Sequence, residues 1–146
     1  MATVQDILNC KGELVYSLSP QETILDALKL MKEKDIGAVL IMEDKKVLGI
    51  FSERDYARRG TIIGNPVSTP LKNVMTQVVY YVNPEQSLET CLAQMSDKNI
   101  RHLPVLRGDK AISVISIGDV VTFLIVDQKE LIVGLENFIL GREIEL

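Results

Sequence analysis

Two Ser-x-x-Asp motifs, Ser52–Asp55 and Ser116–Asp119, are the residues whose types and spacing best suit chemistry in this chain. An ionised aspartate only accepts hydrogen bonds, so its two oxygens can together bind the adjacent hydroxyl groups of a ribose. A helix that begins at the motif would also present free amide groups and a positive dipole end to a phosphate. The same motif is equally a helix cap, in which the serine oxygen accepts an amide proton, and this alternative stays open for each copy.

Four basic residues near the motifs are the predicted phosphate partners, namely Arg54, Arg58, Arg101 and His102. Arg54, Arg58 and Arg59 fall within six residues at the first motif, and Arg101-His102 form a second basic pair. Such arginines can also be a solvated helix face, and the histidine can be structural, so these alternatives stay open too. Apolar residues from strand ends would supply a slot for an adenine. The predicted nucleotide-binding residues are Ser52, Arg54, Asp55, Arg58, Arg101, His102, Ser116, Gly118 and Asp119.

Catalytic and metal-binding motifs are not found in the sequence. There is no G-x-S-x-G motif and no glycine-rich phosphate loop. His102 is the only histidine, and no second histidine or cysteine stands at ligand spacing. We therefore expect a binding protein with no catalytic or metal site of its own, although Mg²⁺ could accompany the phosphates of a ligand.

The elements that must position the two motifs come from an internal repeat. Residues 15–55 and 79–119 align without a gap at an offset of sixty-four, with ten identities in forty-one positions. Two copies of one unit can pack around a pseudo-twofold axis, which leaves two equivalent clefts between them. We expect the function to lie in these clefts.

Each repeat reads as strand, helix, strand, strand, helix. Ser19–Glu22 and Asn83–Gln86 predict helix starts, because each has a cap residue, then proline, then Glu or Gln at the capping-box position. Apolar residues then recur at i, i+3, i+4 and i+7, as in Ile24/Ala27/Leu28/Met31 and Leu88/Cys91/Leu92/Met95. Two short apolar runs across a polar turn predict a hairpin in each copy. Tyr16 and Tyr80 are interpreted as core residues, as is Cys91.

The predicted domain division falls in a connector rich in glycine and proline, Gly60–Pro70, which leads to a short helical turn over Leu71–Met75. Residues 1–70 would form the first repeat, with an N-terminal helix and the connector. Residues 71–146 would form the second repeat, with an extended C-terminal helix that runs to about Gly141. Its apolar positions need a cover, either the first repeat or a second copy of the chain. They are Val121, Leu124, Leu131, Leu135 and Phe138.

Composition limits the possible partners. The chain has 146 residues, a net charge of −4 and a pI near 5.0. An acidic chain lacks the broad excess of lysine and arginine that nucleic-acid backbones require. The apolar runs are far shorter than a membrane span, and the first residues do not resemble a secretory signal. We therefore expect a cytoplasmic protein that binds neither nucleic acid nor membrane.

The motifs together resemble the cystathionine β-synthase (CBS) domain family. The resemblance rests on Gly49–Asp55, Ser113–Asp119 and Asn99–Val105, and it covers about residues 3 to 141. It implies an α/β (α+β) fold in which two tandem β-α-β-β-α CBS repeats form a pseudo-twofold pair, known as a Bateman module. It also implies dimerisation and adenosine-type ligands in the clefts between repeats.

The two clefts are expected to differ. Ser113 stands where the first copy has Gly49, and its side chain would crowd the approach of a ligand. Conversely, Arg101-His102 stand where the first copy has Gly37-Ala38, so only one copy offers basic side chains there.

Two functions follow from these features. The first is a stand-alone regulatory protein, not an enzyme, which binds an adenine nucleotide and signals to a regulated partner protein through conformational change. AMP is the first candidate ligand, and ADP, ATP and NAD are others. The second is a homodimeric interaction scaffold that binds no ligand and acts through its C-terminal helix.

Overall fold

The computed structural model describes residues 1–141, apart from the side chains of Phe138 and Leu140. Phe138, which was expected on the apolar face of the C-terminal helix, and residues 142–146 of the second predicted domain therefore lie outside the described part. The helices are α1 (Val4–Lys11), α2 (Ile24–Lys34), α3 (Glu53–Asp55), α4 (Leu88–Lys98) and α5 (Ile117–Leu140); a π-helical stretch, Tyr56–Thr61, continues α3, and a 3₁₀ turn spans Leu71–Asn73. The strands are β1 (Ser17–Leu18), β2 (Ala38–Glu43), β3 (Lys46–Ser52), β4 (His102–Arg107) and β5 (Lys110–Ser116).

Both predicted hairpins form, and they confirm the mixed α/β fold. Strands β2 and β3 are antiparallel, and β4 and β5 repeat this pairing in the second half. Strand β1 adds to β2 in parallel, which gives a sheet of order β1-β2-β3. In the second half the equivalent strand is reduced to a parallel bridge between Val82 and Val105. The two repeats therefore share one architecture and differ in the length of the first strand.

Helices α2 and α4 begin four residues later than predicted. Thr23 caps α2, and Ser87 caps α4. The predicted starts are turns instead: in Ser19–Glu22 the Ser19 amide donates to the glutamate carboxylate over 2.6 Å. The same bond forms in Asn83–Gln86, where the Asn83 amide donates to the glutamine side chain over 2.9 Å. The capping-box hydrogen bond is thus present, but a second capping residue closer to the apolar stripe starts each helix.

Each repeat has its own apolar core, and the segments that precede the repeats are exchanged between them. Helix α1 comes before the first repeat, yet Val4, Ile7 and Leu8 are buried in the second core. Conversely, Leu71 and Val74 come before the second repeat and are buried in the first core. The domain division at residue 70 stays a prediction, but the exchange means that each half is completed by chain from the other side of that boundary.

Helix α5 ends at Leu140, close to the predicted Gly141. Its first turns pack on the second core through Val120, Phe123 and Leu124. Farther along, Leu131 and Leu135 are 63% and 54% exposed. The first repeat therefore does not cover this part of the helix. None of the helices in residues 1–141 is both long enough and apolar enough to cross a membrane.

The two cysteines are free thiols. Cys91 is buried in α4, as predicted, and Cys10 is exposed. Burial in the apolar second core raises the pKa of the Cys91 thiol to about 11, so the group packs as a small hydrophobe.

Candidate functional site

A cleft of about 370 Å³ lies between the two repeats and contains most of the predicted residues. The first repeat contributes the end of β3 and the start of α3, and the second contributes the residues before and within β4. Six of the nine predicted site residues line this cleft, namely Ser52, Arg54, Asp55, Arg58, Arg101 and His102. The other three, Ser116, Gly118 and Asp119, are not among its lining residues.

Asp55 both caps α3 and faces the cleft. The Ser52 oxygen accepts from the Asp55 amide over 3.2 Å, and Asp55 Oδ2 accepts from the Ser52 amide over 2.9 Å. The capping alternative is therefore correct for this copy. Asp55 Oδ1 accepts from the Thr76 hydroxyl over 3.0 Å. Because each carboxylate oxygen can accept about two hydrogen bonds, Oδ1 keeps capacity for a ligand hydroxyl group. Thr76 was missed, since it lies outside the aligned repeat.

The four arginines of the cleft divide into two kinds. Arg54 donates to the Asn99 carbonyl over 2.8 Å and so joins the first repeat to the second. Arg59 donates to the Val74 and Met75 carbonyls over 3.2 and 2.7 Å, and so fixes the segment that leads into the second repeat. Within the described part of the chain, the guanidinium groups of Arg58 and Arg101 form no hydrogen bond or salt bridge. These last two guanidinium groups are the ones available to an anion.

His102 lies at the seam between the repeats, next to Gly37. A Cβ added to Gly37 would lie 3.0 Å from His102 Nε2, so glycine is what permits this approach. Burial lowers the pKa of His102 below its ordinary value; Asp119 opposes this effect, and Lys11, Arg101 and Arg54 reinforce it. The imidazole is therefore neutral at neutral pH and would contact a ligand as a hydrogen-bonding group rather than as a cation.

Asp119 lies in different surroundings from Asp55, although both belong to the same motif. It also closes a cap, since Asp119 Oδ2 accepts from the Ser116 amide over 2.9 Å and the Ser116 oxygen accepts from the Asp119 amide over 3.0 Å. The same Oδ2 forms a 2.8 Å salt bridge with Lys11. Burial opposes ionisation of Asp119, but the hydrogen bonds from Lys11 and Ser116 and the charge of Lys11 hold its pKa below the usual value.

The interpretation of the two tyrosines as core residues is wrong. Tyr80 is 37% exposed and lines the cleft, and Lys98 Nζ lies 5.1 Å from its ring centroid. Tyr16 is half-buried and has the equivalent partner, with Lys34 Nζ at 5.6 Å. Each lysine covers a ring face, and such a pair is more typical of a partly solvated site than of a core. The repeated Tyr and Lys at one offset were a signal for this pairing.

Gly49 is required by the packing of the chain rather than by a ligand. A Cβ at Gly49 would lie 2.7 Å from Met75 Sδ and 2.8 Å from the Thr76 carbonyl oxygen. The absent side chain lets Thr76 pair with Ile50 through two backbone hydrogen bonds of 2.9 and 3.0 Å. Ser113, at the equivalent position, is fully buried, and its hydroxyl has no hydrogen-bond partner among the described residues. Gly49 and Ser113 therefore differ because Met75 and Thr76 pack against β3 at position 49 and leave no room for a side chain, whereas β5 leaves room for one at position 113.

A family model for the CBS domain matches this chain twice, over residues 12–60 and 71–126. These two ranges contain every predicted site residue. Within residues 1–141, no group of three or more His, Cys, Asp or Glu side chains is placed to hold a metal ion.

Curated relatives with CBS domains are similar to most of this chain. The CBS domain-containing protein YhcV of Bacillus subtilis is 32% identical over 119 residues, which cover 82% of this chain and 83% of that protein. A mitochondrial CBS domain-containing protein of Arabidopsis thaliana is 30% identical over 149 residues, with 95% and 72% covered.

Solved structures give the same result. A protein with CBS domains from Burkholderia ambifaria superposes with a TM-score of 0.83 at 42% identity, over 87% of this chain and 96% of that chain. The CBS domain pair of protein MJ0100, in complex with 5′-methylthioadenosine and S-adenosyl-L-methionine, superposes with a TM-score of 0.75 over 85% and 96% of the two chains. At 20% identity this second likeness is one of fold alone.

Proposed function

Because the chain belongs to the CBS domain family, we propose that it is a regulatory protein that binds an adenine nucleotide in the cleft between its two CBS repeats. One observation carries the proposal: Asp55, with acceptor capacity left, and the guanidinium groups of Arg58 and Arg101 line the same cleft. An acid and two available cations in one concave site match the hydroxyl and phosphate groups of a nucleotide.

The lining of the cleft suggests how the ligand lies. A ribose hydroxyl group would donate to Asp55 Oδ1, and the phosphate would lie between Arg58 and Arg101. The base would pack on the apolar part of the wall, which includes Ile50, Tyr80 and Pro104. A volume of about 370 Å³ is within the usual range for small-molecule sites. The adenosine compounds bound by MJ0100 show that this fold can hold an adenosine group.

AMP is the first candidate among adenine nucleotides. Two guanidinium groups balance the two negative charges of a single phosphate, whereas ADP and ATP carry more charge and would need further cations or Mg²⁺. NAD shares the adenosine half and remains a candidate. In this proposal the protein is not an enzyme; it acts by binding.

The signal would pass through the seam between the repeats. Arg54 already joins the two halves through Asn99, and a ligand that contacts both halves would stabilise one angle between them. A ligand shifts such an equilibrium only by its different affinity for the two states. A partner protein, whose identity is open, would read the change. The free thiols fit a reducing compartment, and we place the protein in the cytoplasm.

Isothermal titration calorimetry tests the proposal directly. AMP, ADP, ATP and NAD are titrated into the wild type, and we expect AMP to bind. Asp55→Asn should weaken AMP binding about tenfold, since the charge-assisted hydrogen bond of about 1.5 kcal/mol that Oδ1 would accept from the ribose is lost. Asp119→Asn is the matched control, because it removes the same cap from the other repeat. An unchanged affinity for AMP in Asp55→Asn, or no heat with any nucleotide, contradicts the proposal.

A second candidate function is a dimeric scaffold that binds no ligand. The exposed apolar residues of α5, including Leu131 and Leu135, favour this alternative. Thermal shift separates the two functions, because a ligand at about 100 times its dissociation constant adds about 2.7 kcal/mol of stability. A panel of nucleotides that leaves the melting temperature unchanged would favour the scaffold.

A further inference from the structure

One hydrogen bond joins the two aligned repeats, residues 15–55 and 79–119, in the part of the chain that the structure describes. Arg54 Nη1 donates to the Asn99 carbonyl over 2.8 Å. The other hydrogen bonds between residues of these two ranges stay within one repeat. Arg54 and Asn99 both line the cleft of the proposed function. A ligand in the cleft would therefore lie next to the hydrogen bond that joins the repeats.

The surroundings of Asn99 make this hydrogen bond easy to release. Asn99 ends α4 in the left-handed region, with φ of 53°, and its carbonyl is one of those that a helix end leaves unpaired. The helix dipole favours a cation there. Because Asn99 is exposed, water can replace Arg54 at the carbonyl, and no buried acceptor is left without a partner.

Arg59 lines the same cleft but is held more firmly. Its guanidinium group donates to two carbonyl groups, those of Val74 and Met75, and both hydrogen bonds are partly buried. The Arg54 hydrogen bond is single and exposed. Of the two engaged guanidinium groups, Arg54 therefore loses less when it turns to a ligand.

The symmetric position has the acceptor and not the donor. Asp35 aligns with Asn99, and it also ends its helix in the left-handed region, with φ of 52°. Gly118 aligns with Arg54 and has no side chain. The repeat therefore supplies no second copy of the Arg54 hydrogen bond. Once Arg54 leaves Asn99, no hydrogen bond joins residues 15–55 to residues 79–119 in the described chain.

The charges of the cleft suit one phosphate group without Arg54. The guanidinium groups of Arg58 and Arg101 are available, and together they balance the two negative charges of a monophosphate. The second phosphate group of ADP or ATP brings further negative charge into the same cleft. A guanidinium group forms a stronger hydrogen bond with a phosphate oxygen than with a neutral carbonyl, so this charge would attract Arg54 away from Asn99.

We propose that Arg54 is the residue by which the cleft distinguishes one phosphate group from two. AMP binds to Arg58 and Arg101 and leaves Arg54 on the Asn99 carbonyl. The second phosphate group of ADP or ATP binds the Arg54 guanidinium, and the hydrogen bond between the repeats is lost. This inference rests on the proposed function, and it adds a specificity residue and the class of ligand that releases the two repeats.

The carbonyl ¹³C signal of Asn99 in NMR spectra reports this hydrogen bond directly. Arg54→Met has a side chain of similar length without a donor, so it gives the signal position for the broken bond. We expect AMP to leave the wild-type signal near its unliganded position and ADP to move it to the position in Arg54→Met. Arg107→Met, which removes an exposed arginine outside the cleft, is the matched control and should respond to ADP as the wild type does.

Calorimetry measures the same exchange as an affinity. Arg54→Met should weaken ADP binding about fivefold and AMP binding less than about twofold, because only the second phosphate group uses this guanidinium. Equal losses for AMP and ADP would overturn the proposal, since Arg54 would then only shape the cleft. An Asn99 signal that AMP and ADP move equally would also overturn it, and this comparison needs no variant.

Inorganic pyrophosphate separates this inference from the proposed function. We expect pyrophosphate to move the Asn99 signal and orthophosphate to leave it in place. If the wild type binds no nucleotide, the proposed function is refuted, and a shift with pyrophosphate would still support the release of Arg54. AMP binding together with ADP that leaves the Asn99 signal in place refutes the release alone. No nucleotide binding and no pyrophosphate shift overturn both.

Discussion

The two Ser-x-x-Asp motifs have the same internal geometry and different surroundings. In both, the aspartate accepts from the serine amide over 2.9 Å and the serine oxygen accepts from the aspartate amide. Around the first lie Thr76 and two guanidinium groups that have no partner in the described chain. Around the second lies Lys11.

This comparison teaches that the motif by itself specifies a helix cap. Part of what surrounds each cap comes from the exchanged segments, because residues 71–76 pack on the first repeat and α1 packs on the second. The two caps are therefore alike, and the unlike segments that precede the repeats, together with Arg58 and Arg101, give the two aspartates different surroundings.

The largest expected effect concerns the helices that follow the two motifs. The first helical segment stops at Thr61, whereas α5 continues to Leu140 with exposed apolar residues. If a second copy covers α5, Leu131→Asp should convert a dimer into a monomer or give insoluble protein. A symmetric interface contains the substituted residue twice, and each buried leucine contributes about 1.5–3 kcal/mol to the free energy of association.

Light scattering measures this change in mass. Gln128→Asp adds the same charge to an exposed polar position of α5 and should leave the mass unaltered. A dimer that persists in both Leu131→Asp and Leu135→Asp would place the interface elsewhere.

Substitutions at the aligned positions 49 and 113 should have opposite effects on stability. Gly49→Ser places a Cβ against Met75 and Thr76 and should lower the free energy of unfolding by about 1–3 kcal/mol. Ser113→Ala removes a buried hydroxyl that lacks a partner and should raise this free energy by about 1 kcal/mol. Urea denaturation with unchanged m-values measures both. If both substitutions changed the free energy of unfolding in the same direction and by the same amount, positions 49 of β3 and 113 of β5 would have similar surroundings.

The charges of the first cleft predict a difference between AMP and adenosine. Arg58→Ala and Arg101→Ala should each weaken AMP binding about tenfold, since each removes a charge-assisted hydrogen bond of about 1.5 kcal/mol. Adenosine has no phosphate, so its affinity should stay the same. Arg107→Ala, which breaks an exposed salt bridge with Glu13, is the control in calorimetry. A matching loss for adenosine would show that these arginines shape the cleft and do not bind phosphate.

The smallest expected effect is on the pKa of His102, at the seam between the repeats. As the only histidine, it gives a single resolved imidazole signal in an NMR titration. Its pKa should lie below 6.5, because burial disfavours the charged form. Asp119→Asn should lower this pKa further, and Lys11→Ala should raise it, since Asp119 favours and Lys11 disfavours the proton. Shifts of the opposite sign would show that the charges of Asp119 and Lys11 do not set the pKa of His102.

The same depressed pKa has a consequence for stability. Between the folded-state pKa of His102 and 6.5, the unfolded chain binds more protons than the folded one. The contribution of this group to stability is therefore present above pH 6.5 and is lost as the pH falls through the folded-state value. Urea denaturation across this range should show the decline, and His102→Asn should reduce it.

Much of the fold could be predicted because local patterns encode it. The apolar stripe of Ile24, Ala27 and Met31 and the hairpin runs set the helices and strands through burial alone. The helix starts could not be placed correctly, because Ser19 and Thr23 both begin capping-box sequences and only packing decides between them. The tyrosines were misassigned for a similar reason, since alternation in a short strand does not show whether its outer face is covered.

The site was predictable to the extent that it repeats. The sequence alone determined that the chain has two related halves and that each half has an aspartate in a helix cap. It also indicated the CBS domain family. The tertiary structure decided which acid faces an open cleft, because the contacts of Thr76 with Asp55 and of Lys11 with Asp119 span twenty-one and one hundred and eight positions along the chain. Such contacts depend on how the preceding segments cross between the halves, and no local pattern of residue types records that crossing.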